Sequence, residues 1–287
     1  MFTDTHCHML STKERGCDMQ ELIKEIVSTK VPFILDIGTK ADDLPKHINF
    51  VNNLINENLT ESEKEQAKNV FHFSAGILPT IDDIINRVEL IKELEKNIID
   101  YKDTCNFVAI GECGVDHYWN KVDDDGAIQG HEAKSILEGQ RELFEMQLNL
   151  AKKLHLPVIV HSRDAADDTY DIIKKSGYTK GVIHCFSYGI DEVKKFLDLG
   201  WYISLSGTIT YAKKSQMDAT YELVRAIPQD RLFLETDSPY LAPVPMRGKI
   251  NNPILVKHVY EFIAGIIGVS QEELAQIVLT NTKRLFL

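Results

Sequence analysis

Two histidines stand two residues apart near the start of the chain, in the run DTHCH at positions 4–8. Side chains alternate faces along a β-strand, so His6 and His8 would point the same way while Cys7 points the other way. Imidazole nitrogens are ligands for zinc, manganese and iron. The spacing therefore predicts a two-nitrogen metal clamp, with surface or hydrogen-bonded core histidines as the alternative for so short a motif.

Further candidate ligands lie at the ends of other β-rich runs. They are Glu112, His161, His184 and Asp237. If these runs are parallel strands of one barrel, their carboxyl ends meet at one mouth, which is where barrels of this kind hold their active sites. Four histidines and two carboxylates are enough for two divalent ions that share a bridging carboxylate. The combined set therefore favours a metal centre far more strongly than the first pair does.

Eight short β-rich runs alternate with helical patterns along the chain. The runs cover 2–8, 31–38, 70–78, 107–115, 156–162, 181–187, 201–207 and 231–238. Between the third and fourth runs, apolar residues recur at three- and four-residue intervals from Ile81 to Ile98, behind the capping pair Thr80 and Asp83. The alternation predicts an α/β fold, a TIM-type (β/α)8 barrel of parallel strands with an outer helix ring. An open doubly wound sheet is the alternative.

Length, composition and charge restrict the function. The 287 residues fit a barrel, which takes ~250 residues, and no linker divides residues 1–287, so we expect a single domain. The net charge of −11 disfavours binding to a long stretch of nucleic-acid phosphates. We find no apolar run of the ~20 residues that a membrane span needs, and no secretion signal. We therefore expect a cytoplasmic protein with no membrane contact, and nothing indicates a protein partner.

The five cysteines are odd in number and form no CxxC motif, which argues against a disulfide framework. Cys7, Cys113 and Cys185 each stand beside a candidate ligand. By alternation they should face the helix layer as small buried side chains.

Two stretches resemble insertions. Residues 52–69 are polar and predict a solvated helix and loop, and residues 119–139 predict a long loop after the fourth strand. The run DDDG at 123–126 invites a calcium-loop interpretation, but Lys134 stands where a bidentate glutamate is needed, so we expect a turn.

Taken in order, five motifs resemble those of the TatD-like metal-dependent deoxyribonucleases of the amidohydrolase superfamily. They are DTHCH at 4–8, GECGVDHY at 111–118, PVIVHSRDA at 157–165, GVIHCFS at 181–187 and ETDSPYLAP at 235–243. The resemblance spans nearly the whole chain and implies a barrel with two metal ions. It implies one ion held by His6, His8 and Asp237, a second held by His161 and His184, and Glu112 as the bridge.

The activity that the resemblance implies is cleavage of DNA phosphodiester bonds, with 3′–5′ exonuclease-like action. Two divalent ions, zinc, magnesium or manganese, can generate a nucleophile from water and neutralise charge developing on a phosphodiester. Asp237 and Glu112 are then the catalytic carboxylates, with Asp237 accepting the water's proton. Glu235 faces the same way as Asp237 and could support the histidine ligands from behind.

Contacts with substrate are expected from cations and aromatic rings near the mouth. Arg163 and Lys249 are the candidates for phosphate contacts. Tyr118, Trp119 and Tyr188 lie just beyond strand ends, where they could stack on unpaired bases or simply pack the loops. Because the chain is acidic, DNA ends or short single strands are the expected substrates rather than a long duplex.

Three positions depart from the family pattern. Leu78 stands where a histidine is expected near the substrate, and Ile250 and Asn252 replace an arginine and a glutamate. Two alternatives stay open. Barrel and metals do not choose between bond types, so one is another ester or amide hydrolase, such as a D-aminoacyl-tRNA deacylase, on the same scaffold. The other, which Leu78 keeps open, is a non-catalytic metal-binding or partner-binding protein.

Overall fold

Eight parallel strands form the centre of the computed structural model, which describes residues 1–287. The strands are β1 (Asp4–Cys7), β2 (Ile34–Asp36), β3 (Phe71–Ala75), β4 (Phe107–Asp116), β5 (Val158–Arg163), β6 (Gly181–Ile183), β7 (Tyr202–Leu205) and β8 (Leu232–Leu234). Their order in space is their order in sequence. Six lie inside the predicted runs, and β4 and β5 extend one residue beyond theirs, to Asp116 and Arg163. Their side chains are almost all buried, as expected for strands covered on both faces.

The sheet closes where the chain beyond β8 meets β1. The backbone N–H of Asp237 donates to the carbonyl of His6 at 2.9 Å, and the N–H of His8 donates to the carbonyl of Ser238 at 2.8 Å. The Asp4 carboxylate reinforces this seam by accepting from the backbone N–H and the hydroxyl of Thr236, at 2.9 and 2.6 Å. The fold is therefore the predicted TIM-type barrel rather than an open sheet.

Twelve α-helices surround the strands. They are α1 (Met9–Glu14), α2 (Met19–Ser28), α3 (Asp43–Asn58), α4 (Glu61–Ala67), α5 (Ile81–Ile85), α6 (Arg87–Tyr101), α7 (Ala133–Leu154), α8 (Ala166–Ser176), α9 (Ile190–Asp198), α10 (Met217–Ala226), α11 (Val256–Ile267) and α12 (Gln271–Phe286). The helix predicted over 81–98 is divided at Asn86 into α5 and α6. Ser270 caps α12, because its hydroxyl accepts from the Glu273 N–H at 3.1 Å.

The segment predicted as a long loop at 119–139 is partly regular. It contains a two-stranded antiparallel hairpin, Ala127–Ile128 with His131–Glu132, and the first turns of α7. The predicted turn at 123–126 is confirmed, since the Asp123 carboxylate accepts from the N–H groups of Asp125 and Ala127 at 3.1 and 2.8 Å. The predicted loop was thus too long, because the apolar face of α7 begins at Ile136.

None of the helices alone has the length and apolar character needed to cross a bilayer. One bent pair, Pro253–Ile267 with Gln271–Phe286 at 106°, meets that test by length and composition.

Aromatic rings fill the barrel end opposite the mouth. Phe286 at the end of α12 lies between Phe33 and Phe233, with ring centroids 6.1 and 5.6 Å away. The His72 ring stacks on Phe33 at 4.2 Å, and its Nδ1 lies 3.2 Å from the Val70 carbonyl oxygen. Burial lowers the pKa of His72 from 6.5 to about 4. This histidine is therefore a neutral core residue at physiological pH.

His72 should make the fold sensitive to mild acid. Its pKa is lower in the folded state, so between pH 6.5 and about 4 the unfolded chain binds a proton that the folded chain does not. Stability therefore falls as the pH falls through this window, by up to about 3 kcal/mol from this one group. Urea unfolding at pH 7 and pH 4 should show a smaller acid loss in His72→Phe than in the native chain. Equal acid losses in both, with exposed His131→Gln as the control, would contradict this assignment.

Candidate metal centre

The strand ends bring the six predicted ligands together at one mouth of the barrel. Four of them are buried, and His161 and Asp237 are partly exposed. They come from or directly follow five different strands: His6 and His8 from β1, Glu112 from β4, His161 from β5, His184 from β6 and Asp237 from β8. The sequence prediction of a convergent cluster is thus matched by the geometry.

Glu112 lies between two groups of side chains. Its Oε2 is 3.4 Å from His6 Nε2 and 3.7 Å from His8 Nε2. Its Oε1 is 2.9 Å from His161 Nδ1 and 2.8 Å from His184 Nε2. Each carboxylate oxygen therefore faces its own pair of imidazole nitrogens, which is the arrangement that a carboxylate shared by two ions requires.

Asp237 completes the first of these groups. Its Oδ1 lies 3.7 Å from His6 Nε2 and 3.4 Å from His8 Nε2. The residue has a left-handed backbone, with φ of 54°, which is uncommon for a side chain with a Cβ. No helix begins at Asp237, so its side chain does not act as a helix cap.

The donor atoms fit a divalent cation. Both ring nitrogens of His6 are buried without a hydrogen-bond partner, although a buried polar atom left unpaired is costly. Ligand atoms of His6, His8 and Glu112 lie within 4.8 Å of one another, and so do those of Glu112, His161 and His184. Nitrogen and carboxylate donors at this spacing suit zinc and manganese, and carboxylate oxygens also suit magnesium.

Electrostatics keep the two carboxylates charged. Burial alone would raise the pKa of Glu112, but the charge of His184 and the hydrogen bonds from His161 and His184 outweigh it and hold this pKa well below its ordinary value. At Asp237 burial also acts to raise the pKa. The hydrogen bond with His8 and the charge of His6 outweigh it, so this pKa is lowered too. Both groups are thus anionic at neutral pH and ready to receive a cation.

The rings of His8 and His184 are oriented by contacts on the side away from the centre. His8 Nδ1 lies 3.2 Å from the carbonyl oxygen of Ile37, and His184 Nδ1 lies 3.3 Å from Glu235 Oε1. Such contacts on the nitrogen away from a metal fix the ring and its tautomer. Glu235 is itself held, because its Oε1 accepts the N–H of Cys185 at 2.7 Å. The sequence prediction that Glu235 supports a histidine ligand agrees with this position.

Asp116 orients the ring of His161. The sequence analysis did not predict this role for Asp116. Its Oδ2 lies 2.8 Å from His161 Nε2, on the opposite side of the ring from Glu112. Its backbone N–H donates to Gln140 Oε1 at 3.2 Å. A signal was present, because Asp116 stands four residues after Glu112 on the same strand and thus faces the same side.

Asp116→Asn should weaken metal binding without unfolding the barrel. Loss of a carboxylate partner behind a metal-binding histidine costs roughly 10- to 100-fold in metal affinity. Competition between the protein and a chelating dye measures this affinity directly. Exposed Asp125→Asn should bind metal as the native chain does. Unchanged affinity in Asp116→Asn, combined with a lower unfolding temperature, would reduce Asp116 to a structural residue.

Glycines beside Glu112 let β4 approach β5 closely. A Cβ at Gly114, where φ is 150°, would lie 1.9 Å from the carbonyl oxygen of His161, and a Cβ at Gly111 would lie 2.5 Å from that of Ile159. Only glycine fits at such distances. The glycines of the GECG run therefore allow the backbone around Glu112 to pack closely against the strand that carries His161.

Two of the three cysteines beside ligands face away from the centre as predicted. Cys7 and Cys113 are buried, and their Sγ atoms point to the carbonyls of Leu35 and Ile159. Cys185 does not follow the prediction. It lies beyond the end of β6 with φ of 43°, is half-buried, and places its Sγ 3.1 Å from Ser206 Oγ, because strand alternation no longer applies there.

Two of the predicted substrate-binding residues are cations without an ion pair, and a third residue, Tyr188, packs within the protein. Arg163 ends β5, two residues after His161, and its guanidinium stacks on Tyr118. Lys249 lies in an exposed turn, and its ammonium forms no hydrogen bond or ion pair. Tyr188 is a packing residue, since its hydroxyl contacts Ser162 at 2.8 Å and the Ala165 N–H at 3.1 Å.

The structure shows the environment of the three positions that depart from the family pattern. Asn252 caps the 3₁₀ turn Pro253–Leu255, since its side chain accepts the Ile254 N–H at 3.0 Å. Ile250 is exposed, and Leu78 is half-buried with its N–H donating to the Thr39 carbonyl. None of the three contributes a polar side chain to the six-residue cluster.

Comparisons with known proteins point to one family. The family model described as TatD related DNase matches residues 3–287. The metal-dependent hydrolase YabD of Bacillus subtilis is 33% identical over 290 residues, covering 100% of this chain and 99% of YabD. The metal-dependent hydrolase YcfH of Escherichia coli K12 is 35% identical over 289 residues, covering 99% and 94%. The crystal structure of YJJV, a TatD homologue of E. coli K12, aligns with a TM-score of 0.75 at 26% identity, covering 99% and 97%.

Proposed function

This chain belongs to the TatD related DNase family of metal-dependent hydrolases, and on that basis we propose that it is a deoxyribonuclease acting on DNA ends. The observation that carries the proposal is the position of Glu112, whose two oxygens each face a separate pair of imidazoles. A two-metal phosphodiesterase uses such a pair of sites to stabilise both the attacking and the leaving oxygen of the reacting phosphate.

The proposed ligand sets follow from these distances. One divalent ion would be held by His6, His8 and Asp237, and a second by His161 and His184, with Glu112 shared between them. When bound, such ions supply Lewis acidity and a nucleophile from water at neutral pH. Zinc, magnesium and manganese are the candidates.

Asp237 is proposed to accept the proton of the attacking water. Its side chain is 15% exposed, whereas that of Glu112 is 5% exposed, so Asp237 is the carboxylate that a water at the mouth can reach. The lowered pKa of Asp237 keeps it in the ionised form that a general base requires.

The substrate class follows from the balance of charge around the mouth. The chain carries a net charge of −11, which disfavours contact with a long stretch of phosphates. Arg163 stands two residues after His161 on β5 and is proposed to contact a nearby phosphate, and Lys249 is proposed to contact a more distant one. We therefore propose DNA ends or short single strands, shortened from the 3′ end.

The test is digestion of 5′-labelled single-stranded and duplex oligonucleotides with magnesium, manganese or zinc. A ladder of products shortened from the 3′ end, lost on chelation and in His161→Ala, is the expected result. Exposed Asp125→Asn should digest DNA as the native chain does. Release of D-amino acids from charged tRNA without loss of DNA would overturn the proposal in favour of an ester hydrolase. Metal binding with neither activity would favour a non-catalytic protein.

A further inference from the structure

Two large aromatic side chains lie exposed just beyond the end of β4. Tyr118 is 49% exposed and Trp119 is 65% exposed. Together with Arg163 they form a cluster that we call the aromatic platform. Exposed aromatic surface beside a candidate active site is typical of a ligand-binding surface, since solvent contact with such rings is unfavourable.

The platform is held together by cation–π and edge-to-face contacts. The guanidinium carbon of Arg163 lies 3.7 Å from the ring centroid of Tyr118 and 5.7 Å from that of Trp119. The two rings meet edge-on at 5.2 Å. Strand pairing fixes the base of the cluster, because the His117 N–H donates to the Arg163 carbonyl at 2.9 Å. The stacking surface is therefore ordered before any ligand binds, which lowers the entropic cost of binding.

One carboxylate links the platform to the candidate metal centre. The Trp119 N–H donates to Asp116 Oδ1 at 2.8 Å, and Asp116 Oδ2 lies 2.8 Å from His161 Nε2. The aromatic platform thus adjoins the half of the centre formed by His161 and His184. A group bound on it would therefore lie on the side of the mouth that carries His161.

Arg163 is a free cation within this acidic molecule. Among the neighbouring carboxylates, Asp167 pairs with Lys195 and Asp168 with Arg141. The exposed Asp164 carboxylate forms no ion pair with Arg163. Arg163 itself contacts the two aromatic rings and forms no ion pair. Its donors are therefore available to a phosphate oxygen, which a guanidinium binds in a bidentate manner.

We propose that the aromatic platform binds an unpaired nucleotide next to the scissile phosphodiester, with the base stacked on Trp119 and a phosphate on Arg163. Tyr118 holds the guanidinium in place and is a positioning residue. The inference rests on the proposed nuclease function, to which it adds selectivity for single strands. Inside a duplex both faces of each base are covered by its neighbours, so an unpaired base offers Trp119 a free face that an internal paired base does not.

Tryptophan fluorescence tests this proposal without catalysis. The chain has two tryptophans, and Trp201 is fully buried, so a ligand that stacks should quench Trp119 alone. In chelator, a short oligothymidylate should quench the emission, whereas an abasic oligomer of equal length and charge should not. Trp119→Phe should abolish the quenching. Equal quenching by the abasic oligomer, or quenching that survives in Trp119→Phe, would overturn the proposal.

Steady-state kinetics separate the platform from the nuclease function itself. Trp119→Ala should raise KM for a single-stranded oligonucleotide about 10-fold, the magnitude expected from one lost stacking contact. It should leave kcat unchanged and should not alter KM for an abasic oligomer of equal length, which has no base to stack, and the control Val122→Ala in the same loop should change neither substrate's kinetics. An unchanged KM of Trp119→Ala for the single-stranded oligonucleotide would overturn the proposal that the platform binds a base, without contradicting the proposed nuclease function. If the native chain hydrolyses neither substrate, the proposed function fails, and the quenching result alone decides the platform.

Discussion

Asp237→Asn should lower kcat for phosphodiester hydrolysis by roughly 10²- to 10⁴-fold, the range expected for loss of a general base. The asparagine amide preserves the shape of the side chain but cannot accept a proton from water at neutral pH. It also removes the negative charge that lies 3.4 Å from His8 Nε2 and 3.7 Å from His6 Nε2. Single-turnover cleavage of a labelled oligonucleotide with saturating metal measures this effect on the chemical step.

A matched control separates this loss from a general effect on the barrel. Asp230 is exposed near the opposite end of β8, so Asp230→Asn changes the same charge far from the centre. It should retain the native rate. If Asp237→Asn keeps a rate within a few fold of the native chain, a different group accepts the proton and the role assigned to Asp237 is wrong.

Glu112→Gln should reduce bound metal from two equivalents to about one and lower hydrolysis by roughly 10²- to 10³-fold, because one ion supplies several kcal/mol of transition-state stabilisation. Glutamine is neutral, and its single carbonyl oxygen cannot serve both pairs of histidines. Elemental analysis after gel filtration gives the stoichiometry, and the same oligonucleotide assay gives the rate.

Glu132→Gln provides the comparison for Glu112. Glu132 is exposed on the short hairpin after β4, and its substitution should change neither stoichiometry nor rate. Two equivalents of metal in Glu112→Gln would show that Glu112 does not bridge, whatever the rate.

The barrel and the ligand cluster could be predicted because local pattern determines both. Each strand is a short apolar run, and parallel strands place their carboxyl ends at one mouth, so a residue's position on its run was enough to predict convergence. His6 and His8 illustrate this, since period-two alternation alone sets their common direction.

Features that depend on departures from regular strands could not be predicted in this way. Cys185 lies past the end of β6 with a left-handed backbone, so alternation gave the wrong direction. The link from Asp116 to His161 depends on the register between β4 and β5, which is irregular between Ile110 and Cys113. The hairpin after β4 is two residues long on each side, too short to produce a periodic pattern.

Anomalous diffraction from crystals grown with zinc or manganese would locate the bound ions and show whether Glu112 lies between them. We predict two anomalous peaks ~4 Å apart at the barrel mouth, one beside His6, His8 and Asp237 and one beside His161 and His184. Glu112 should contact both. A single peak, or peaks away from Glu112 in crystals of a metal-loaded protein, would contradict the account.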